Sequence, residues 1–258
     1  VKNISLFIVF LFAATGCLMT ACNREEETPD ETPVKGILQV NVKTSFNGLP
    51  FDLNQPYTNI QNYRVKMQSL AFLMHNFYAK TADGNYCLVK EALRYDRSQN
   101  AVSSFTFAID PGTYQGISFS IGIDSALNHS DPALLAASHP FSYNVSADLH
   151  WGWNTGYIFL KMEGDADTSG TGSGAFDRTF LYHIGVDELF RRFDFYSNSF
   201  SITADQTTTL NIELDVAKMF YNGIDTIDLK TEYATQSSGS MPLARQFVSV
   251  YEDAFSVY

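Results

Sequence analysis

The chain has 258 residues, 45% hydrophobic and 17% charged, enough apolar content for one packed domain or two small ones; global disorder is excluded. With 17 Lys and Arg against 28 Asp and Glu the formal charge is −11, and no basic cluster offsets it, which argues against a nucleic-acid partner. The 21 Phe and 14 Tyr favour strands, and three cysteines cannot build a disulfide framework.

The N-terminal segment carries an address. Lys2 is a minimal positive region, and the nearly all-apolar run from Ile4 to Thr20 reads as a secretory signal. It is too short, and too soon followed by Asn23, Arg24 and three glutamates, to be a membrane span. Ala14-Thr15-Gly16-Cys17 and Met19-Thr20-Ala21-Cys22 both resemble a bacterial lipobox. Cys22 is the expected lipidated residue, because Cys17 would leave Leu18 and Met19 ahead of the polar tether. Residues 1–21 are then a lipoprotein signal peptide and 22–35 an acidic, Pro-containing flexible tether. The acidic run after the cysteine resembles the surface-export signal of Bacteroidetes lipoproteins. The expected location is the outer membrane, on its periplasmic or exposed face, with the lipid anchor as the membrane contact.

Residues 36–258 read as a single domain. Leu38, Val40 and Val42 alternate with polar residues, and similar runs follow at 70–79, 86–90, 103–109, 115–123, 157–163, 179–185, 198–204 and 208–215. About nine such strands without a βαβ rhythm predict an all-β, antiparallel β-sandwich. Helices are few and short: a turn after Asp131-Pro132, ELFRRF capped by Asp187, and VAKMFYN capped by Asp215. A longer C-terminal helix follows Ser240, with Leu243, Phe247, Val250, Tyr251 and Phe255 in one stripe.

No P-loop, HExxH, GxSxG or CxxC motif is present, so the expectation is a protein that is not an enzyme. Asp165-Ala166-Asp167-Thr168-Ser169-Gly170 begins like a calcium loop, but Phe176 stands where the bidentate acid belongs and Asp177 comes one place late. Calcium is therefore not expected. His75, His129 and His139 read as structural histidines, and Cys87 as a small core residue. His150 and His183 differ. His150-Trp151-Gly152-Trp153 sets both tryptophans beside one imidazole, just before the strand that starts at Tyr157. His183 lies in the strand expected to pair with it. Imidazole suits copper or zinc, and an indole adds cation–π contact. A hairpin symmetric about residue 171 would put His183 opposite Phe159, about 20 Å of strand from Trp153. A shared site then needs a shifted register, or the HWGW loop folded back over the sheet.

Several separated elements resemble the MbnP-like family, named for a periplasmic partner of the methanobactin copper-handling system. They are Gln61-Asn62-Tyr63 with Ser69 to Leu73, Pro111 to Tyr114 with Ile117 to Asp124 and Asn128, Trp151-Gly152-Trp153-Asn154-Thr155-Gly156-Tyr157 with Lys161 to Gly164, and Tyr182-His183-Ile184-Gly185. The W-x-W-x-x-G-Y element is the most specific. The resemblance implies a secreted β-sandwich that binds copper through histidine and an oxidised tryptophan (kynurenine), made by a dihaem peroxidase-like partner. It points to His183 as ligand and to Trp151 or Trp153 as the oxidisable indole; His150, which matches less well because many relatives have another residue before the first Trp, is the second candidate ligand, and Tyr157 a further lining aromatic. The chain departs from the family in lacking a Trp-x-His pair, and it has no histidine in Ser237 to Leu243, where relatives often carry one. The alternative is a structural or interaction lipoprotein whose HWGW loop contacts a protein or a glycan without metal.

Overall fold

A computed structural model describes residues 34–152 and 155–258. The signal, Cys17, Cys22, the tether through residue 33 and Trp153 lie outside the described residues. The strands are, in chain order, β1 (Gly36–Phe46), β2 (Leu49–Pro50), β3 (Pro56–Thr58), β4 (Arg64–Thr81), β5 (Tyr86–Asp96), β6 (Val102–Ile109), β7 (Gly112–Ile121), β8 (His150–Gly152), β9 (Gly156–Asp167), β10 (Arg178–Gly185), β11 (Arg191–Phe195), β12 (Phe200–Ile202), β13 (Thr207–Asp215), β14 (Ala234–Thr235) and β15 (Phe255–Val257). Several of these are two or three residues long, too short for a hydrophobic period to register.

The strands form two layers of an all-β sandwich. In the five-stranded sheet β1 is central, with β13 and then β15 on one side and β6 and the short β2 also paired to it. The ten-stranded sheet runs β11-β7-β4-β9-β10-β14, with β3 and β5 on β4, β12 on β7 and β8 on β9. Pairing is mainly antiparallel. The parallel exceptions are β1 with β13 (Val40 opposite Leu210) and β10 with β14. Each of these joins strands far apart in sequence, where no tight hairpin imposes an antiparallel turn.

Alternation builds the main core. Leu38, Val40 and Val42 from β1 and Ile212 and Leu214 from β13 meet Phe72, Phe77, Phe119, Leu160, Met162, Tyr182 and Ile184 from the larger sheet, all fully buried. A helix (α3, Met241–Tyr251) closes this core, with Phe247 stacked on Tyr182 at 4.3 Å.

Three elements differ from the sequence expectation, one being VAKMFYN, of which only Val216–Met219 forms a 3-10 turn before Tyr221 bridges to Thr226. The α3 stripe stops at Tyr251, and Phe255 lies in β15 opposite Leu214. The ELFRRF segment is a single 3-10 turn (Asp187–Leu189) followed by β11, in which Phe193 points inward between exposed Arg192 and Asp194. A period of two confined to five residues is easily read as helical spacing.

The larger sheet also uses its outer face. Between β7 and β8 the chain leaves the sheet over residues 122–149, an excursion that carries α1 (Ser125–Asn128) and α2 (Tyr143–Ser146). It covers a second apolar cluster, in which Ala71, Leu73, Ala92 and Phe159 from the sheet meet Phe141 and Leu149 from the excursion. Ala71 and Leu73 alternate with the inward Leu70, Phe72 and Met74, so this cluster lies on the face away from the main core. Among the described residues no helix is long and apolar enough to cross a membrane.

Candidate functional site

The β9–β10 hairpin carries the first half of the site. His183 pairs opposite Lys161 rather than Phe159, and the register shifts at Ile184/Gly185 so that Gly185 faces Ile158. Phe180, Tyr182 and Ile184 of β10 point into the core, which turns Leu181, His183 and Gly185 to the outer face. There His183 Nε2 lies 2.7 Å from Glu163 Oε1, and Lys161 Nζ lies 3.6 Å from Glu163 Oε2. With the carboxylate as acceptor, Nε2 carries the proton and the Nδ1 lone pair is left as donor to a ligand.

The second half comes from β8. The HWG segment does fold back, pairing antiparallel with the start of β9, His150 opposite Tyr157. Trp151 is half-buried and packs against the outer cluster, and its six-membered ring lies against Gly185. Gly185 and His183 are alternate residues of one strand, so indole and imidazole share a face about 7 Å apart along it. Tyr157 is fully buried; its N–H donates to Asn128 Oδ1 at 2.8 Å and its hydroxyl to the Phe141 carbonyl. Burial pushes the phenol up to about 12, so it is a neutral donor at any physiological pH.

The structure therefore brings together His183, Trp151 and Glu163. His150 stands apart. Its ring meets Tyr157 edge-on at 4.7 Å, and the register puts it four residues along β9 from the partner of His183, roughly 13 Å. The Glu163 contact turns His183 further from it. The His150 Nε2 is buried without a hydrogen-bond partner, and burial alone lowers the pKa of this imidazole, which favours a neutral ring with a donor atom to spare. Among the described residues no three His, Cys, Asp or Glu side chains converge as a ready metal cage. Sequence reasoning did not single out Glu163 or Gly185 as site residues, although both stand inside the motifs that carry the family resemblance.

The remaining polar groups have local duties. Asp187 accepts from Asn128 Nδ2 at 2.7 Å and lies 3.1 Å from His129 Nε2. Asp167 and Asp177 accept the backbone N–H groups of Ser169 and Thr168 and so hold the would-be calcium loop itself, while Asp165 accepts from Gln68 Nε2 and the Thr179 hydroxyl. His139 Nδ1 accepts the Phe141 N–H, and its ring meets Phe141 edge-on.

His75 is buried under the excursion, edge-on to Phe141, with Nδ1 3.4 Å from Asp124 Oδ2. Burial is the largest influence on it and lowers its pKa; Asp124 and Glu91 oppose this and His139 adds to it. Because the unfolded chain then binds this proton more readily, stability falls as pH drops below about 6.5 and levels off below the folded-state value. Thermal unfolding between pH 8 and 5 is expected to show that loss, and a His75→Gln variant to show a shallower slope. An unchanged slope in the variant assigns the loss to other groups.

The family described as MbnP matches residues 35–241. In fold the chain is similar to MbnP from Methylosinus trichosporium, with a TM-score of 0.56 and 15% identity over 86% of this chain and 97% of that one. No curated protein sequence matches significantly.

Proposed function

Because the chain belongs to the MbnP family, we propose that it is a non-catalytic cell-envelope lipoprotein that binds copper on the outer face of its larger sheet. The observation that carries this reading is His183, fixed by Glu163 and set beside the Trp151 indole. A carboxylate that orients a histidine through its far nitrogen is the usual outer partner of a metal-bound imidazole. His183 would hold the ion through Nδ1, Trp151 would line it, and His150, packed edge-on against Tyr157, is the further candidate ligand. Copper, when bound, supplies a soft cation that imidazole coordinates and an indole face attracts.

The proposal extends to the rest of the chain. A lipid on Cys22 would anchor the domain to the outer membrane, on the periplasmic or the exposed side, through the acidic tether. Oxidation of Trp151 or Trp153 by a dihaem peroxidase-like partner belongs to the same reading. Intact mass and metal analysis of the mature protein from its native host test it. Stoichiometric copper, or a tryptophan peptide heavier by the kynurenine increment, supports it. A metal-free, unmodified protein that also ignores added Cu(I) and Cu(II) sinks it.

One observation favours a second reading, an interaction module without metal. The excursion beside the site exposes Leu134 (82%) and Tyr143 (60%), large side chains of the kind that anchor a protein or glycan contact.

A further inference from the structure

Gly185 has no conformational need to be glycine. Its backbone is outside the positive-φ region that ten other glycines of the described chain occupy. What its missing side chain provides is room: a Cβ built there lies 2.5 Å from Trp151 Cζ3 and 2.5 Å from the Tyr157 carbonyl oxygen. Such separations are far inside contact distance, and glycine in a strand interior commonly marks a close approach of this kind.

We infer that Gly185 is a positioning residue, the floor of a slot that sets the Trp151 indole on the His183 face of β10. The inference rests on the reading that His183 and Trp151 belong to one site. The frame of the slot is pinned on both sides. The Ser237 hydroxyl accepts the Gly185 N–H at 2.9 Å and donates to the His183 carbonyl at 2.9 Å, so one side chain fixes the last turn of β10. Val186 follows with φ 68° and ψ 149°, a conformation that a β-branched residue holds only when its surroundings impose it. The imposing contacts are those of Asp187, whose carboxylate accepts from Ser125, Asn128 and His129. Asn128 also accepts the Tyr157 N–H. Both β9 and β10 are thus tied to the same helical turn, α1, which holds Gly185 and the start of β9, on which β8 pairs, in a fixed relation.

The test uses Trp153→Phe as the parent, which leaves Trp151 as the only indole, and adds Gly185→Ala. The expected result is a red-shifted Trp151 emission, stronger acrylamide quenching and copper binding weaker by about tenfold, the effect of losing an outer partner. A purely structural loss would lower the melting temperature and leave the emission of the folded protein unmoved. If Gly185→Ala does not fold, Ser237→Ala reads the same slot with the glycine intact, and the same spectral shift is expected. A displaced indole with unchanged copper binding supports the positioning role and overturns the copper reading instead. An unmoved emission and quenching in the folded variants overturns the positioning role, whatever copper does.

Discussion

Replacing Phe119 by alanine is expected to destabilise the protein by about 3–5 kcal/mol and to lower the melting temperature by roughly 6–20 °C. Phe119 is fully buried on β7, with Phe77 at 5.8 Å, Phe193 at 5.5 Å, Phe195 at 5.7 Å and Phe255 at 5.5 Å between ring centroids. Phe255 reaches it from the other sheet, edge-on at 70°, the arrangement in which ring quadrupoles attract. Removing the ring therefore opens a cavity where the two layers and the C-terminal strand meet, and side chains from three separate elements, β4, β11 and β15, would have to move to fill it. Leu134→Ala, at a side chain 82% exposed, is the matched control and should stay within about 0.5 kcal/mol of the parent. A Phe119→Ala midpoint no lower than that of the control would mean that the layers are held together elsewhere.

The contrast between those two sites shows what the sequence makes legible. Strand β1 announces itself because Leu38, Val40 and Val42 alternate with Gln39, Asn41 and Lys43, and alternation is what a strand between a core and solvent requires. The outer cluster is legible only in part. The run Leu70 to Leu73 is apolar on both faces, which says that the strand is covered on both sides without saying by what. Register is harder still. A hairpin shifted by two residues keeps every side chain on the same face, so the hydrophobic pattern cannot separate the expected partner Phe159 from the observed partner Lys161. The Trp151–Gly185 contact was beyond reach for another reason. It depends on β8 folding back and on a glycine 34 positions later, and no local period encodes such a meeting.

The same geometry sets the largest functional effect. His183→Ala is expected to weaken copper binding by more than the roughly 10–100-fold that losing an outer partner costs, because it removes the donor atom itself. Glu163→Gln keeps a hydrogen-bonding group near Nε2 but removes the charge that fixes the ring, and should fall inside that 10–100-fold range. His150→Ala is expected to cost least, since its imidazole is enclosed against Tyr157 and offset along β9 from the His183 face. Competitive titration against a chelator of known copper affinity orders the three. Repeating it at lower pH should weaken binding in the parent, because an imidazole must be neutral to coordinate. If His150→Ala loses as much affinity as His183→Ala, the two histidines share the ion and β8 must swing across β9 to deliver the second. If all three variants bind as the parent does, copper does not sit on this face. The indole laid on Gly185 is then a packing feature, and the exposed excursion beside it becomes the stronger candidate for function.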